Sequence, residues 1–166
     1  GFVIGAILER ENPFDAFVSN HFNSITDLPI GSRVGSCSLR RIVQLKELRP
    51  DLVILDLRGN VNTRLQKLDD GEYDAIILAC SGLIRLGFEN RIKQHLNAQQ
   101  SLPAVGQGAL GIEVKENDSQ IIKLLEPLIH KKTMDEVSAE RAMNASLQGG
   151  CSVAIGAYAT SNGSKL

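Results

Sequence analysis

The middle of the chain alternates short apolar runs with segments of helical periodicity, and this alternation constrains the fold more than any other feature. Strands are predicted at 33–37, 51–57 and 75–79, and helices at 39–48, 61–68 and 83–86. The run 51–57 (DLVILDL) is rich in β-branched and other large apolar residues, which predicts a buried strand. Strands that alternate with helices in this way predict an α/β fold, a parallel sheet with helices on its faces.

The flanking segments follow other patterns. Strands are predicted at 1–8, 112–115 and 152–159, an amphipathic helix at 119–129, and a loop or hinge at the Gly- and Pro-rich stretch 101–111. A last helix is predicted at 133–147, with Thr133 as N-cap and Glu136 as its capping-box partner. We place domain boundaries near residues 13, 103 and 130.

Composition excludes several classes of protein. The chain has 166 residues, of which 43% are hydrophobic, and this is enough apolar mass for a core. No apolar run approaches the roughly 18 residues of a membrane helix, so we expect no membrane partner. The net charge of −1 argues against a nucleic-acid binder. Three widely spaced cysteines form neither a disulfide framework nor a metal site, which favours a reducing cytoplasm and no bound metal.

Both ends of the sequence have the pattern of cut ends. The strand at 1–8 begins without Met, and the turn Asn162-Gly163 is followed by only three residues. We therefore expect an internal piece of a longer protein. On this interpretation the terminal Ser164-Lys165-Leu166 is not a targeting signal.

Arginines recur where three successive strands end and the next helix begins. The segments are GSCSLRR at 35–41, RGNVNTR at 58–64 and SGLIR at 81–85. The carboxyl ends of parallel strands line one crevice, and helix N-termini there favour anions. An arginine at a helix start costs about 0.3–1 kcal/mol, so its repetition indicates that these side chains bind anions, carboxylates or phosphates. The alternative is that they form surface pairs with acidic residues, namely Asp51, Asp56, Asp69 or Glu89.

Other motifs carry less information. Residues 106–111 match G-x-G-x-x-G, but a strand follows the glycines, which favours a flexible crossing over a dinucleotide site. Cys80 ends an apolar strand and is expected in the core, whereas Cys37 lies in the first crevice loop. Cys151 follows Gly149-Gly150, which makes its sulfur accessible; chemistry alone still favours a structural role for it.

Five motifs together resemble the porphobilinogen deaminase (hydroxymethylbilane synthase) family. They are GSCSLRR at 35–41, LRGNVNTRL at 57–65, YDAIILA at 73–79, LPAVGQGA at 102–109, and ERAMN at 140–144 with GGC at 149–151. The resemblance runs from residue 1 to about residue 160, with the motifs in the family's order and spacing. It implies three α/β domains, the first two built like two-lobed periplasmic binding proteins. Residues 14–102 would form the second domain, 1–13 and 103–127 part of the first, and 131–166 the start of the third.

The resemblance also implies an activity. Enzymes of this family, which serve tetrapyrrole (haem) biosynthesis, join four porphobilinogen molecules head to tail, release ammonia at each addition, and finally release hydroxymethylbilane. Their dipyrromethane cofactor is held by a thioether to a cysteine, and Cys151 matches that position. The positions that match residues contacting the cofactor or the carboxylates of the growing chain are Ser36, Ser38, Arg40, Arg41, Arg58, Arg64 and Arg85. At Cys37 many relatives carry serine.

Further expectations follow from the same resemblance. The family's catalytic aspartate and a neighbouring lysine belong to a stretch before Gly1, so no catalytic residue is expected in this segment, and these 166 residues alone are expected to be inactive. The full-length protein is expected to be a cytoplasmic monomer. The alternative is a two-lobed binding protein for a small anion, without catalysis, which has no need of Gly-Gly-Cys. A regulatory ligand-binding domain is a third class, but no DNA-binding helix pair or basic patch is present.

Overall fold

The structure, a computed structural model, describes residues 1–150 and 153–162. The strands are β1 (Phe2–Ile7), β2 (Asp15–Val18), β3 (Arg33–Gly35), β4 (Val53–Leu55), β5 (Ala75–Ala79), β6 (Gln94–Leu96) and β7 (Gly111–Lys115). The α-helices are α1 (Leu39–Leu48), α2 (Val61–Asp69), α3 (Cys80–Arg85), α4 (Ser119–Leu125) and α5 (Lys131–Ser146). Short 3₁₀ turns lie at Ile25–Asp27, Glu89–Arg91 and Glu126–Leu128. Within the described ranges, no helix is long and apolar enough to cross a membrane.

The larger sheet has five strands in the order β4-β3-β5-β2-β6. β3 pairs in parallel with β4 and with β5, which confirms the predicted alternation of strand and helix. β2 is antiparallel to both β5 and β6, so the sheet is mixed and not purely parallel. The sequence did not predict β2 or β6, because four and three residues are too few to show a period.

The predicted buried strand at 51–57 is wrong in its length and its burial. β4 covers only Val53–Leu55, and it is an edge strand of the five-stranded sheet that the described residues form. Val53 is therefore 44% exposed, whereas Leu52 and Leu57, which lie just outside the strand, are buried. Ile54 packs partly buried against the core, and the other two residues of the strand, Val53 and Leu55, are exposed at the edge.

Both faces of the central strands are covered. Successive side chains of β5 point to opposite faces of the sheet, so Ile76 and Leu78 lie in one core and Ala75 and Ile77 in the other. The first core is completed chiefly by α2 and α3, through Leu65, Leu68, Cys80 and Leu83. The second is completed by α1 and the surrounding loops, through Ile25, Leu28, Leu45 and Leu52. This sheet between two helical layers is the predicted α/β architecture.

The smaller sheet pairs β1 with β7 in antiparallel register, from Phe2 opposite Lys115 to Ile7 opposite Gly111. α4 and α5 pack against β1. The amphipathic helix predicted at 119–129 is α4, which ends at Leu125 because Pro127 interrupts the helical hydrogen bonding and a 3₁₀ turn follows.

The predicted capping box of the last helix is wrong. α5 begins at Lys131 with His130 at the N-cap position. Thr133 lies in the first turn, and its Oγ1 accepts the backbone N–H of Arg10 at 3.1 Å. Glu136 accepts the backbone N–H of Ser161 at 2.8 Å. Thr133 Oγ1 also lies 2.8 Å from Nδ1 of His130, but the backbone N–H groups that the Thr133 and Glu136 side chains bind belong to distant segments and not to the helix end. The predicted strand at 152–159 is also absent from its described residues, 153–159.

Two chain segments, 8–14 and 97–110, connect the sheets side by side. Leu8 donates its backbone N–H to Leu110 at 3.0 Å, and Glu11 donates to Gly108 at 3.2 Å. Gly108 has φ +88°, and a Cβ added there would collide with the carbonyl oxygen of Glu11. Glycine at this position is therefore required both by the backbone conformation and by the close approach of the other segment.

Replacing Gly108 with Ala should lower the free energy of unfolding by about 3 kcal/mol, because both a left-handed backbone and a backbone collision must be accommodated. Gly71 is a matched control, since it also has a positive φ (+76°) but open space around its Cβ position. Gly71→Ala should cost only about 1 kcal/mol. Urea unfolding of both variants measures the difference, and equal losses would contradict the close-approach argument.

Candidate functional site

The three arginine-bearing segments lie together beyond the carboxyl ends of the parallel strands of the larger sheet. β3, β4 and β5 run in the same direction, so the segments that follow them all start on that side of the sheet. β2 runs in the opposite direction and therefore begins there: its first residue, Asp15, lies opposite Ala79 at the end of β5 and Leu96 at the end of β6. We call residues 36–41, 58–64 and 81–85 the strand-end site.

Arg40 and Arg41, in the first turn of α1, both bind Asp15. The Nη1 and Nη2 atoms of Arg40 donate to Oδ2 and Oδ1 of Asp15 at 2.8 and 3.1 Å. Arg41 donates from Nε to Oδ1 at 2.9 Å. The Asp15 carboxylate is fully buried, and the side chains of Arg40 and Arg41 are only 6% and 11% exposed. The sequence predicted the two arginines but not the acid that they bind.

The connecting segment 97–110 completes this group. Ser101 donates its hydroxyl to Asp15 Oδ2 at 2.7 Å, and Gln107 Nε2 donates to Oδ1 at 3.0 Å. We call Asp15, Arg40, Arg41, Ser101 and Gln107 the Asp15 cluster. It ties the start of β2, the start of α1 and the connecting segment to one carboxylate.

The Asp15 cluster carries an excess positive charge. Burial of Asp15 acts to raise its pKa, but the charges of Arg41 and Arg40 and their hydrogen bonds outweigh this, and the pKa is lowered from the usual 3.8. One carboxylate thus stays ionised beside two guanidinium groups, so one positive charge in the cluster is not neutralised. An excess buried cation at the carboxyl end of a sheet favours an anionic ligand.

The start of α1 also favours an anion. Ser38 is in the N-cap position but makes no side-chain hydrogen bond to the first turn, whereas Asn60 caps α2 by accepting the N–H of Thr63 at 2.9 Å. Ser36 is buried behind this turn, and its hydroxyl accepts the N–H of Ser38 at 3.3 Å. The first N–H groups of α1 are thus not capped by Ser38, as at an anion-binding helix end.

The other three arginines take different partners. Arg58 donates to Asp56 Oδ2 at 2.8 Å and is 80% exposed, so here the alternative of a surface pair is the one observed. Arg64 donates from Nε to the carbonyl oxygen of Gly59 at 2.7 Å, within the same loop. Arg85 donates to the carbonyl oxygen of Gly108 in the connecting segment at 2.6 Å. Arg58 is thus exposed, whereas Arg64 is half-buried.

A second buried ion pair joins α5 to the connecting segments. Arg10 donates to both carboxylate oxygens of Glu140, at 2.7 and 3.1 Å. Glu140 also accepts the backbone N–H groups of Gly106, at 2.7 Å, and Ala159, at 3.0 Å. This carboxylate fixes the segment that follows Cys151 against the connector. Nothing in the local sequence pattern predicted the pair.

The cysteines lie in different environments. Cys80 is fully buried in the first core, as predicted, and burial, with a smaller effect from the Asp15 charge, raises the pKa of its thiol to about 12. Cys37 is exposed in the loop between β3 and α1. Cys151, the predicted attachment residue, lies outside the described residues.

A cavity of about 390 Å³ opens next to the Asp15 cluster. Arg40 and Gln44 line it on one side, Met143 of α5 and Leu147 just after that helix line another, and Ala154–Gly156 close it. It thus lies between an arginine of the strand-end site and the residues on either side of Cys151 in the sequence. Its walls are mostly apolar and Arg40 supplies one cation, which suits an apolar ligand that carries a carboxylate.

Comparison with known proteins identifies relatives over most of the chain. Residues 1–123 match the family model "Porphobilinogen deaminase, dipyromethane cofactor binding domain", and residues 134–166 match "Porphobilinogen deaminase, C-terminal domain". Proteins named porphobilinogen deaminase from Ruthia magnifica subsp. Calyptogena magnifica and Vesicomyosocius okutanii subsp. Calyptogena okutanii are 70% and 66% identical, over 96% and 99% of this chain. The chain spans only 52% and 54% of their lengths, about half of each relative.

Solved structures resemble the fold at low sequence identity. A periplasmic substrate-binding protein of an ABC transporter from Coxiella burnetii aligns with a TM-score of 0.51 and 15% identity, over 86% of this chain and 66% of that one. A pheromone cOB1 precursor/lipoprotein of the YaeC family from Enterococcus faecalis aligns with a TM-score of 0.54 and 14% identity, over 89% and 68%. These likenesses show a periplasmic-binding-protein-like fold and nothing about ligands.

The Asp15 cluster predicts acid sensitivity. Because the pKa of Asp15 is lowered in the folded protein, its contribution to stability is complete above the usual value of 3.8 and is lost as the pH falls through the folded-state pKa. Urea unfolding of the wild type and of Asp15→Asn should give a difference that is constant from pH 7 to about pH 5 and shrinks below about pH 4. A difference that stays constant down to pH 2 would contradict the lowered pKa.

Proposed function

The chain belongs to the porphobilinogen deaminase family, and on that premise we propose that the whole protein is a transferase that joins four porphobilinogen molecules into hydroxymethylbilane with release of ammonia. Family membership rests on matches over residues 1–123 and 134–166. The activity stays a proposal because the relatives are about twice as long as this chain.

One observation carries the proposal: the strand-end site contains an uncompensated cation at an uncapped helix start. Porphobilinogen and its oligomers carry acetate and propionate groups, so each added unit brings two carboxylates. We propose that Arg40, Arg41, Arg58, Arg64 and Arg85, with Ser36 and Ser38, bind these carboxylates. Guanidinium groups suit this task because they donate paired hydrogen bonds to a carboxylate.

The residues present fit a dipyrromethane cofactor. Its carboxylates match the arginine set, and the 390 Å³ cavity beside Arg40 is walled by residues close to Cys151 in the sequence. We propose that Cys151 holds the cofactor through a thioether, which would form when the cysteine thiolate attacks the aminomethyl carbon of a pyrrole and the C–N bond breaks with release of ammonia. When bound, the group supplies an anchored pyrrole end for chain growth. The protein's own residues bind and orient the carboxylates around it.

The domain division also stays a proposal. Residues 14–102 contain the whole five-stranded sheet, which supports their assignment as one anion-binding lobe. Residues 1–13 and 103–127 contain β1, β7 and α4, which supports a separate unit, and residues 131–166 begin with α5. We propose further that the full-length protein is a cytoplasmic monomer without nucleic-acid or membrane partners. Size-exclusion chromatography with light scattering tests this, because it measures the molar mass of the full-length protein in solution.

The cofactor attachment predicts a mass difference. The whole protein should carry the added mass of a dipyrromethane on the peptide that contains Cys151, and the adduct should survive denaturant and reductant because a thioether does not exchange with thiols. Cys151→Ser should remove the adduct, whereas Cys80→Ser, at a buried thiol, should keep it. Intact-mass measurement of the wild type and both variants shows which of them carry the adduct. An unchanged adduct on Cys151→Ser would refute the assignment, and absence of any adduct on the wild type would favour a non-catalytic anion-binding protein.

The carboxylate contacts predict a kinetic effect of Arg64. This side chain makes one hydrogen bond within its own loop, so Arg64→Leu removes a cation without disturbing the core. KM for porphobilinogen should rise roughly tenfold or more, the usual loss for a charge-assisted hydrogen bond. Arg33→Leu is the control, because Arg33 pairs with Asp74 at the opposite end of β3. Equal KM values for both variants would contradict the site. Arg40 is unsuitable for this test, since its loss would also remove a partner of buried Asp15.

A further inference from the structure

We propose that Asp15 is a positioning residue of the strand-end site: its carboxylate fixes the orientation in which Arg40 and Arg41 meet the carboxylates of a ligand. This inference rests on the proposed function and extends it to a residue outside the arginine and serine set. It is carried by the geometry and charge of the Asp15 cluster.

Every acceptor direction of the Asp15 carboxylate is occupied. Oδ1 accepts from Arg40 Nη2, Arg41 Nε and Gln107 Nε2, at 3.1, 2.9 and 3.0 Å. Oδ2 accepts from Arg40 Nη1 and Ser101 Oγ, at 2.8 and 2.7 Å. A carboxylate held by five donors from two segments, α1 and the connecting segment 97–110, cannot rotate, so it presents a fixed template to the two guanidinium groups.

Asp15 itself is unsuited to contact the ligand. It is fully buried, and because its carboxylate is negatively charged it would repel a carboxylate of the ligand. Its effect must therefore pass through the arginines. Two long, flexible side chains with like charges would separate without the shared acid between them. With Asp15 in place, the cost of ordering them is met in the folded protein before any ligand binds.

The remaining contacts of the arginines complete the orientation. Arg40 Nη1 also donates to the carbonyl oxygen of Leu102 at 2.6 Å, and Arg41 Nη1 donates to that of Ile77 at 3.3 Å. Each guanidinium plane is thus held by Asp15 and by one backbone oxygen, and Arg40 also donates to Ser101 Oγ and Gln107 Oε1, both at 3.4 Å. Removing the Asp15 charge leaves each arginine with weak neutral partners and increases the repulsion between them.

The test is Asp15→Asn in the whole protein, a substitution that keeps the shape of the side chain and removes its charge. KM for porphobilinogen should rise roughly tenfold, while kcat per adduct-carrying molecule falls by a smaller factor, because the arginines still bind but no longer in a fixed orientation. Intact mass gives the adduct-carrying fraction. Asp69→Asn is the matched control. Asp69 is an exposed acid at the C-terminal end of α2, away from the strand-end site, and it accepts hydrogen bonds from Arg91 and Asn20.

A second readout does not depend on activity. The Arg41 Nε–H group donates to Asp15 in the folded protein, so its proton should exchange slowly with water and give a resolved nitrogen–proton NMR signal. In Asp15→Asn this signal should be lost or averaged while the backbone amide signals of α1 and β5 persist. Persistence of the backbone signals separates loss of orientation from loss of fold.

The outcomes distinguish this inference from the proposed function. If the wild type does not convert porphobilinogen, the proposed function fails, and the NMR signal still decides whether Asp15 orients Arg41. If the wild type is active and Asp15→Asn raises KM no more than Asp69→Asn does, or lowers kcat as much as it raises KM, the positioning role is overturned.

A milder variant covers the case in which Asp15→Asn does not fold. Ser101→Ala removes one donor to Asp15 and a long contact of Arg40 Nη1 at 3.4 Å, and it leaves the hydrogen bonds of both arginines to Asp15 in place. It should raise KM roughly threefold, the loss expected for one hydrogen bond to the template, with kcat changed less. A KM equal to that of the wild type would overturn the inference in that case.

Discussion

The structure depends on the burial of one carboxylate, Asp15, between two arginines. Charges taken out of water must be paired and hydrogen-bonded, or the cost of desolvation is not recovered. Asp15 meets this condition only when the start of β2, the first turn of α1 and the connecting segment near Ser101 and Gln107 come together. The same condition fixes where α1 begins and where the connecting segment 97–110 passes the carboxyl ends of the parallel strands. A chain that buries this acid must therefore assemble the strand-end site at the same time.

Local pattern predicted the elements whose periodicity is clear. The limits of α1 and β5 are those predicted, 39–48 and 75–79, because each has a full set of apolar positions at one spacing. The pattern failed for β4 and the start of α5. In β4 the position of the strand in the sheet, and not its composition, decided the exposure of Val53. At α5 the residues expected to cap the helix, Thr133 and Glu136, bind Arg10 and Ser161 instead.

The arginines of the candidate site could be predicted from local sequence, but their buried acidic partner could not. Arginines near the starts of α1 and α2 oppose the helix dipole, and this local cost is visible in the sequence. The expectation was wrong for Arg85, which is the last residue of α3, where a cation is favourable. The partner of Arg40 and Arg41 was not visible, because Asp15 lies 25 residues before Arg40 and Ser101 lies 61 residues after it. An acid directly before the apolar triplet Ala16–Val18 is the one local sign that a buried charge begins that strand. The partner of Arg58 was visible in the sequence, because Asp56 lies only two residues before it and forms an exposed ion pair with it.

The contact between Gly108 and Glu11 has a mechanical consequence. The two connecting segments are hydrogen-bonded to each other at Leu8 and Leu110 and at Glu11 and Gly108, and Arg10 also donates to the carbonyl oxygen of Gln107. A displacement of the smaller sheet relative to the larger one must then bend both segments together, because independent bending would break these bonds. The two connecting segments therefore act as one paired linker between the sheets. Because Gln107 also belongs to the Asp15 cluster, bending of this linker acts directly on the acid that holds Arg40 and Arg41.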